Sequence, residues 1–138
     1  MGLEALVGEW VQEVSTDGVP AGRVVFQWAL GGKYLVQSSE IPQPFPDSLA
    51  VIGPAEGGGY TQHYFDSRGV TRIYRMTLGE GRWTLLRTEP DFSPLDFAQR
   101  FEGTFSTAGD RIDARWETSP DGGTTWEQDF ALTMRRRT

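Results

Sequence analysis

Apolar and polar residues alternate with a period of two through most of this chain, and glycine or proline breaks the alternation about every ten residues. That rhythm predicts short β-strands joined by turns. Ten segments rich in Val, Ile, Thr, Phe, Tyr and Trp fit it: Glu9–Val14, Arg23–Leu30, Lys33–Ser39, Ser48–Ile52, Tyr60–Asp66, Val70–Leu78, Arg82–Glu89, Phe97–Ser106, Arg111–Thr118 and Thr124–Met134. Leu3, Leu6 and Val7 stand at helical spacing, so Gly2–Val7 reads as a short helical turn, and Asp91–Asp96 has room for another.

The turns set the strand registers, because opposed residues of an antiparallel pair share a face and a slip of one residue inverts every side chain. A turn centred on Ala108-Gly109 sets Phe105 against Ile112, Gly103 against Ala114 and Phe101 against Trp116, with Glu102–Arg115 and Arg100–Glu117 on the other face. Adding one residue to that loop mixes the faces. A loop Ser119–Gly123 then predicts Trp116 opposite Trp126, Ala114 opposite Gln128 and Ile112 opposite Phe130, with Arg115 and Glu127 paired outside. Working backward, Pro90–Asp96 pairs Arg87 with Gln99, Leu85 with Phe101 and Trp83 with Gly103. Glu80-Gly81 pairs Tyr74 with Arg87, Met76 with Leu85 and Leu78 with Trp83. Asp66–Gly69 pairs Tyr64 with Arg72, Gln62 with Tyr74 and Tyr60 with Met76, and Gly31-Gly32 pairs Trp28 with Leu35 and Phe26 with Gln37.

One apolar face thus runs from Phe26 to Leu132. A meander of this kind has two unpaired edges unless it closes, so the expected fold is all-β, a closed ten-stranded antiparallel up-and-down barrel, with residues 1–138 as one domain. Strand direction sorts the connections. Gly31-Gly32, Gly53–Gly59, Gly79–Gly81 and Ala108-Gly109 fall at one end with the helical turn. Ser15–Gly22, Glu40–Asp47, Asp66–Gly69, Pro90–Asp96 and Ser119–Gly123 fall at the other, which is the expected mouth of a ligand cup.

Composition narrows the classes. The chain has 138 residues, 38% of them hydrophobic and 12% aromatic, enough for a core and too apolar for disorder. Without cysteine there is no disulfide, thiolate metal site or cysteine nucleophile. A net charge of −6 argues against a nucleic-acid partner. No apolar run is long enough to span a membrane, and Met1–Val7 lacks the basic flank of a signal peptide, so the expected location is cytoplasmic. No cofactor and no metal ligand set is predicted.

Chemistry is expected on the inward face. Gln62, Tyr64, Arg72, Tyr74, Arg87, Gln99 and Gln128 fall there among the rings of Trp28, Trp83, Phe101, Trp116 and Trp126, and these twelve are the candidate ligand-binding residues. No inward acid appears in this register, so Arg72 and Arg87 need carbonyls, tyrosine hydroxyls, water or an anionic ligand. Gly103 and Ala114 leave room either for a ligand tail or for the rings of Trp83 and Trp126. Asp91 and Asp96, in a loop near Arg87, are candidates for a general base. His63 faces outward, and Phe65, Ile73 and Val25 on the same outer surface hint at a homodimer patch.

Leu6-Val-Gly-Glu-Trp10, a G-x-W on the first strand after a helical turn, resembles the opening of the calycin superfamily, which holds lipocalins, fatty-acid-binding proteins and nitrobindins. Leu30-Gly-Gly-Lys-Tyr34, Tyr64–Tyr74, Gln99-Arg-Phe101 and Trp126–Arg135 resemble more specifically an uncharacterised bacterial lipocalin-like family. The resemblance implies a barrel with a small-molecule cavity, and a basic residue of the last strand, Arg135 or Arg137, packed on Trp10. Arg72-Ile73-Tyr74 is similar to the carboxylate-binding pair of fatty-acid-binding proteins, which there lies on the last strand. Nitrobindin-like barrels hold haem through a histidine near the C-terminus, and this sequence has none there.

The expected function is binding of a small apolar or amphipathic molecule, a carboxylate being the option that the inward arginines leave open. Two alternatives stand beside it: a cofactor-independent isomerase or cyclase using inward Tyr, Arg and Gln, and a protein-interaction module with a filled barrel. A carboxylate within reach of Tyr64 or Tyr74 favours the enzyme, an open pocket with Arg at its rim favours the carrier, and a filled lumen favours interaction.

Overall fold

The computed structural model describes residues 1–137. A 3-10 turn, Leu3–Ala5, precedes ten strands: β1 Gly8–Val14, β2 Gly22–Ala29, β3 Tyr34–Glu40, β4 Ser48–Pro54, β5 Tyr60–Asp66, β6 Thr71–Gly79, β7 Arg82–Arg87, β8 Ala98–Phe105, β9 Arg111–Ser119 and β10 Glu127–Arg136. Each strand pairs antiparallel with its sequence neighbours, and β1 pairs with β10, so the sheet is a closed barrel. No helix among the described residues is long and apolar enough to cross a membrane.

The alternation that predicts the strands also sets their registers. Trp28↔Leu35 and Phe26↔Gln37 pair across β2 and β3. Gln62↔Tyr74 and Tyr64↔Arg72 pair across β5 and β6, Leu78↔Trp83 across β6 and β7, and Arg87↔Gln99 across β7 and β8. Phe101↔Trp116 and Phe105↔Ile112 complete the run across β8 and β9. The β5–β6, β6–β7 and β8–β9 connections are short, and a one-residue slip between β8 and β9 would drive Arg100 or Arg115 into the core, so one register wins. Asp91–Asp96 forms no helical turn. Instead Asp91 accepts hydrogen bonds from the Ser93 amide and hydroxyl, a local turn that competes with helix.

The last hairpin departs from the expected register. Trp116 pairs with Phe130 and Ala114 with Leu132, four residues beyond the expected Trp126 and Gln128. The cause is Asp121, whose carboxylate accepts from Ser119 Oγ at 2.7 Å, Thr125 N at 2.8 Å and Thr125 Oγ1 at 2.7 Å. That network holds Thr124 and Thr125 in the turn, so β10 starts only at Glu127. An irregularity between Gln128 and Phe130 then turns Gln128 opposite Glu117 while Phe130, Leu132 and Met134 keep the inner face. Arg115 meets Glu102 and Glu117, not Glu127.

The base is plugged by Leu3, Leu6 and Trp10 beneath Val24, Phe26, Leu35, Ile52 and Met76. Trp10 Nε1 donates to the Leu6 carbonyl at 2.9 Å. The cation on the Trp10 ring is Arg136, 4.3 Å above it, and not Arg135 or Arg137. Closure pairs Trp10 with Arg136, which puts the two odd-numbered arginines on the outer face beside Glu13 and Glu9. Arg136 donates to the carbonyls of Val7 at 2.7 Å, Ala5 at 2.6 Å and Gly109 at 3.1 Å. Gly8 makes this possible, since its φ is 124° and a Cβ there would come within 2.9 Å of the guanidinium.

Candidate functional site

Above this plug the barrel is hollow. A cavity of about 560 Å³ opens between the long loops, inside the usual range for small-molecule sites. Two walls of different chemistry enclose it. On β6 to β9 stand Tyr74, Trp83, Leu85, Phe101 and Trp116, with Tyr64 of β5 beside them. Their rings are in contact, Tyr74 edge to face with Trp116 at 5.6 Å, Trp116 tilted against Phe101 at 5.1 Å and Phe101 edge to face with Trp83 at 4.7 Å between centroids. Across from them, β1, β3, β4 and β5 present Gln12, Gln37, Ser39, Ser48 and Gln62 beside apolar Val14 and Ala50, and β10 adds Phe130, Leu132 and Met134.

Eight of the sequence-derived candidates line this cavity: Gln62, Tyr64, Arg72, Tyr74, Trp83, Gln99, Phe101 and Trp116. The other four do not. Trp28 keeps the inward phase but stands at the base, 45% exposed, beyond the plug. Trp126 and Gln128 are outside because of the Asp121 turn and the irregularity in β10; Trp126 lies 4.4 Å over the Arg100 guanidinium, and Gln128 is exposed. The space beside Gly103 and Ala114 is taken by neither Trp126 nor Gln128; Ile112 and Phe101 crowd Gly103.

Arg87 is buried behind the wall, and an inward acid does meet it. Asp91 reaches back from the loop to accept from Arg87 Nε at 2.9 Å and Nη2 at 3.2 Å, and both side chains are 4% exposed. Asp91 also accepts from the Ile73 amide at 3.0 Å. The Arg87 hydrogen bond, with help from those amides, holds the Asp91 carboxyl well below the usual carboxylate range. Arg87 is thereby satisfied without a ligand.

Arg72 differs. It lines the rim with its guanidinium 5.6 Å from the Phe97 ring centroid, and no carboxylate among the described residues pairs with it. Tyr74, buried below, donates to Gln99 Oε1 at 2.9 Å, and burial raises its phenol. Tyr64 donates to Asp66 at 2.8 Å. Burial works to raise the Asp66 carboxyl, but bonds from Arg68, Tyr64 and two amides win and bring it to about 2. Burial and that same carboxylate push the Tyr64 phenol far up. Among the described residues, two buried side-chain atoms have no protein partner, Gln62 Oε1 and Trp83 Nε1.

Sequence reasoning missed Gln12, Gln37, Ser39, Ser48 and Asp129 as lining residues. The signal for Gln37 was present, since it sits opposite Phe26 on an inward position. His63 pairs with Val51 and Ile73 on the outer face and does not reach the cavity. Among the described residues no three acidic or histidine side chains converge to hold a metal ion.

No known family matches the chain in sequence, and no curated protein does. A solved structure does match in shape: the crystal structure of Rv2717c from M. tuberculosis, with 13% identity and a TM-score of 0.63 over 99% of this chain and 95% of that one. At that identity the likeness is one of fold alone.

Proposed function

We propose that this barrel is a calycin-like, lipocalin-type carrier that binds a small, largely apolar molecule bearing a carboxylate. The observation that carries the reading is the open cavity of about 560 Å³ with a charged group at its rim, Arg72, that meets the Phe97 ring and the Tyr74 phenol but no carboxylate among the described residues. A guanidinium half-withdrawn from water beside an apolar hollow gains most from a carboxylate, which it meets through two parallel hydrogen bonds. Arg87 is not that group, because Asp91 already occupies it.

The Tyr64–Asp66 contact is the one observation that favours an enzyme. Its tuning counts against it: a phenol pushed up is a poor acid at neutral pH, and a carboxyl at about 2 is a poor base. A lumen filled by side chains would have favoured a protein-interaction role, and this one is hollow.

Native mass spectrometry of the chain purified without detergent, followed by calorimetric titration with an aliphatic and an aromatic carboxylate, tests the proposal. A small non-covalent mass, or saturable one-to-one heat with either probe, supports it. An apo mass together with no heat from either probe overturns it.

A further inference from the structure

The two walls are not equivalent, and that asymmetry bears on the body of the ligand as well as its charged end. An alkyl chain laid in the cavity would suit Leu85 and the rings, but it would cover Gln12, Gln37, Ser39, Ser48 and Gln62 without offering them a hydrogen bond. Gln62 Oε1 and Trp83 Nε1 sharpen the point. Both belong to side chains at least nine-tenths buried, at 4% and 2% exposure, and both lack a partner. One is an acceptor and the other a donor, so the missing complement carries a donor and an acceptor.

Resting on the carrier reading above, we infer that the ligand is a planar aromatic carboxylate with a hydroxylated edge, not a fatty acid. Its ring packs against the continuous series Tyr74, Trp116, Phe101 and Trp83, which offers edges and faces at centroid spacings of 4.7 to 5.6 Å. Its hydroxyl edge turns toward the glutamines and serines of β1, β3, β4 and β5. A hydroxyl both donates and accepts, and so offers a partner of the kind that Gln62 Oε1 or Trp83 Nε1 lacks. Its carboxylate points out of the mouth to Arg72.

Calorimetric titration of the full chain with hydroxynaphthoate, naphthoate and decanoate separates this inference from the reading it rests on. Hydroxynaphthoate should bind about tenfold more tightly than naphthoate, the size expected for one added hydrogen bond to a buried partner, and both should exceed decanoate. Trp83→Phe keeps a ring in the wall and removes the indole N–H; it should abolish the advantage of hydroxynaphthoate over naphthoate, the two being compared on the same variant. Circular dichroism and a melting curve check that this variant is folded. If Trp83→Phe is unfolded, the order of the three probes on the unaltered chain still decides. Decanoate binding as tightly as hydroxynaphthoate overturns the aromatic inference and leaves the carrier standing. Silence from all three overturns both.

Discussion

The plug at the base of this barrel and the cavity that opens above it are made of similar residues and treat their polar atoms in opposite ways. At the base, Arg136 has a ring beneath it and three backbone carbonyls around it, and Trp10 Nε1 has the Leu6 carbonyl. At the mouth, Arg72 has a ring and no carboxylate among the described residues, and deep in the cavity, beside Phe26, Trp83 Nε1 has no hydrogen-bond partner among them. An arginine and a tryptophan thus appear twice, once closed and once open. The plug stabilises the fold by satisfying the donors of Arg136 and Trp10, while the cavity above it leaves Arg72 and Trp83 Nε1 for something to fill.

Breaking the closed end should cost the most. Trp10→Ala removes a fully buried ring, its hydrogen bond and the surface under Arg136, and is expected to lower stability by about 5 kcal/mol, read from urea unfolding. A loss below about 1 kcal/mol would mean that the base can collapse around the hole, and that the contrast between the ends is smaller than drawn.

Between the two ends lies the Arg87–Asp91 pair, which is buried like the base but sits beside the cavity. Asp91→Asn strands a buried guanidinium and should cost about 3 kcal/mol at neutral pH. The sign of its pH dependence follows from the depressed carboxyl. The folded chain releases this proton more readily than the unfolded one, so the stabilisation is complete above about pH 4 and is lost as pH falls further. Urea unfolding across that acid range should therefore show a slope in the natural chain that is flatter in Asp91→Asn. Equal slopes would assign the acid sensitivity to other carboxylates.

These contrasts mark where the sequence is legible. Period-two alternation carries the wall from β5 to β9, even across the long connection between β7 and β8, because a wrong register would bury arginine against tryptophan. It fails at β10, where Asp121 draws Thr124 and Thr125 into a turn through hydrogen bonds that leave no trace in hydrophobic spacing. It fails for Arg87, whose partner comes from a loop and not from a facing strand. It also leaves Arg136 unidentified: no turn joins β1 to β10, so nothing local sets the register that closes the barrel. Gly8, by contrast, was visible in the G-x-W spacing, and its meaning appears only once the guanidinium is seen against it.

The open end should answer to binding and not to stability. Arg72→Leu is expected to weaken an aromatic carboxylate by about 2 kcal/mol, the value of a charge-assisted contact, while unfolding free energy stays within about 0.5 kcal/mol. Calorimetry and urea unfolding on the same preparation make the comparison. If stability falls with affinity, Arg72 is a structural residue like Arg136, and the two ends are alike after all.

Trp126 provides the finest control, because it is an aromatic next to an arginine that belongs to neither end. Its ring covers the Arg100 guanidinium at 4.4 Å while Arg100 holds Glu117 through bonds of 3.0 and 3.2 Å, all on the outer surface. Trp126→Leu keeps apolar cover over the arginine and removes the ring's electrostatic attraction, which at a partly exposed site is worth about 0.5–1 kcal/mol. Unfolding should shift by no more than that, and affinity for any cavity ligand should not change, since the ring lies on the far side of the sheet from the cavity. A loss of affinity in this variant would place Trp126 in the lumen, and it would mean that β10 can slide back by the four residues that Asp121 now holds out of the strand.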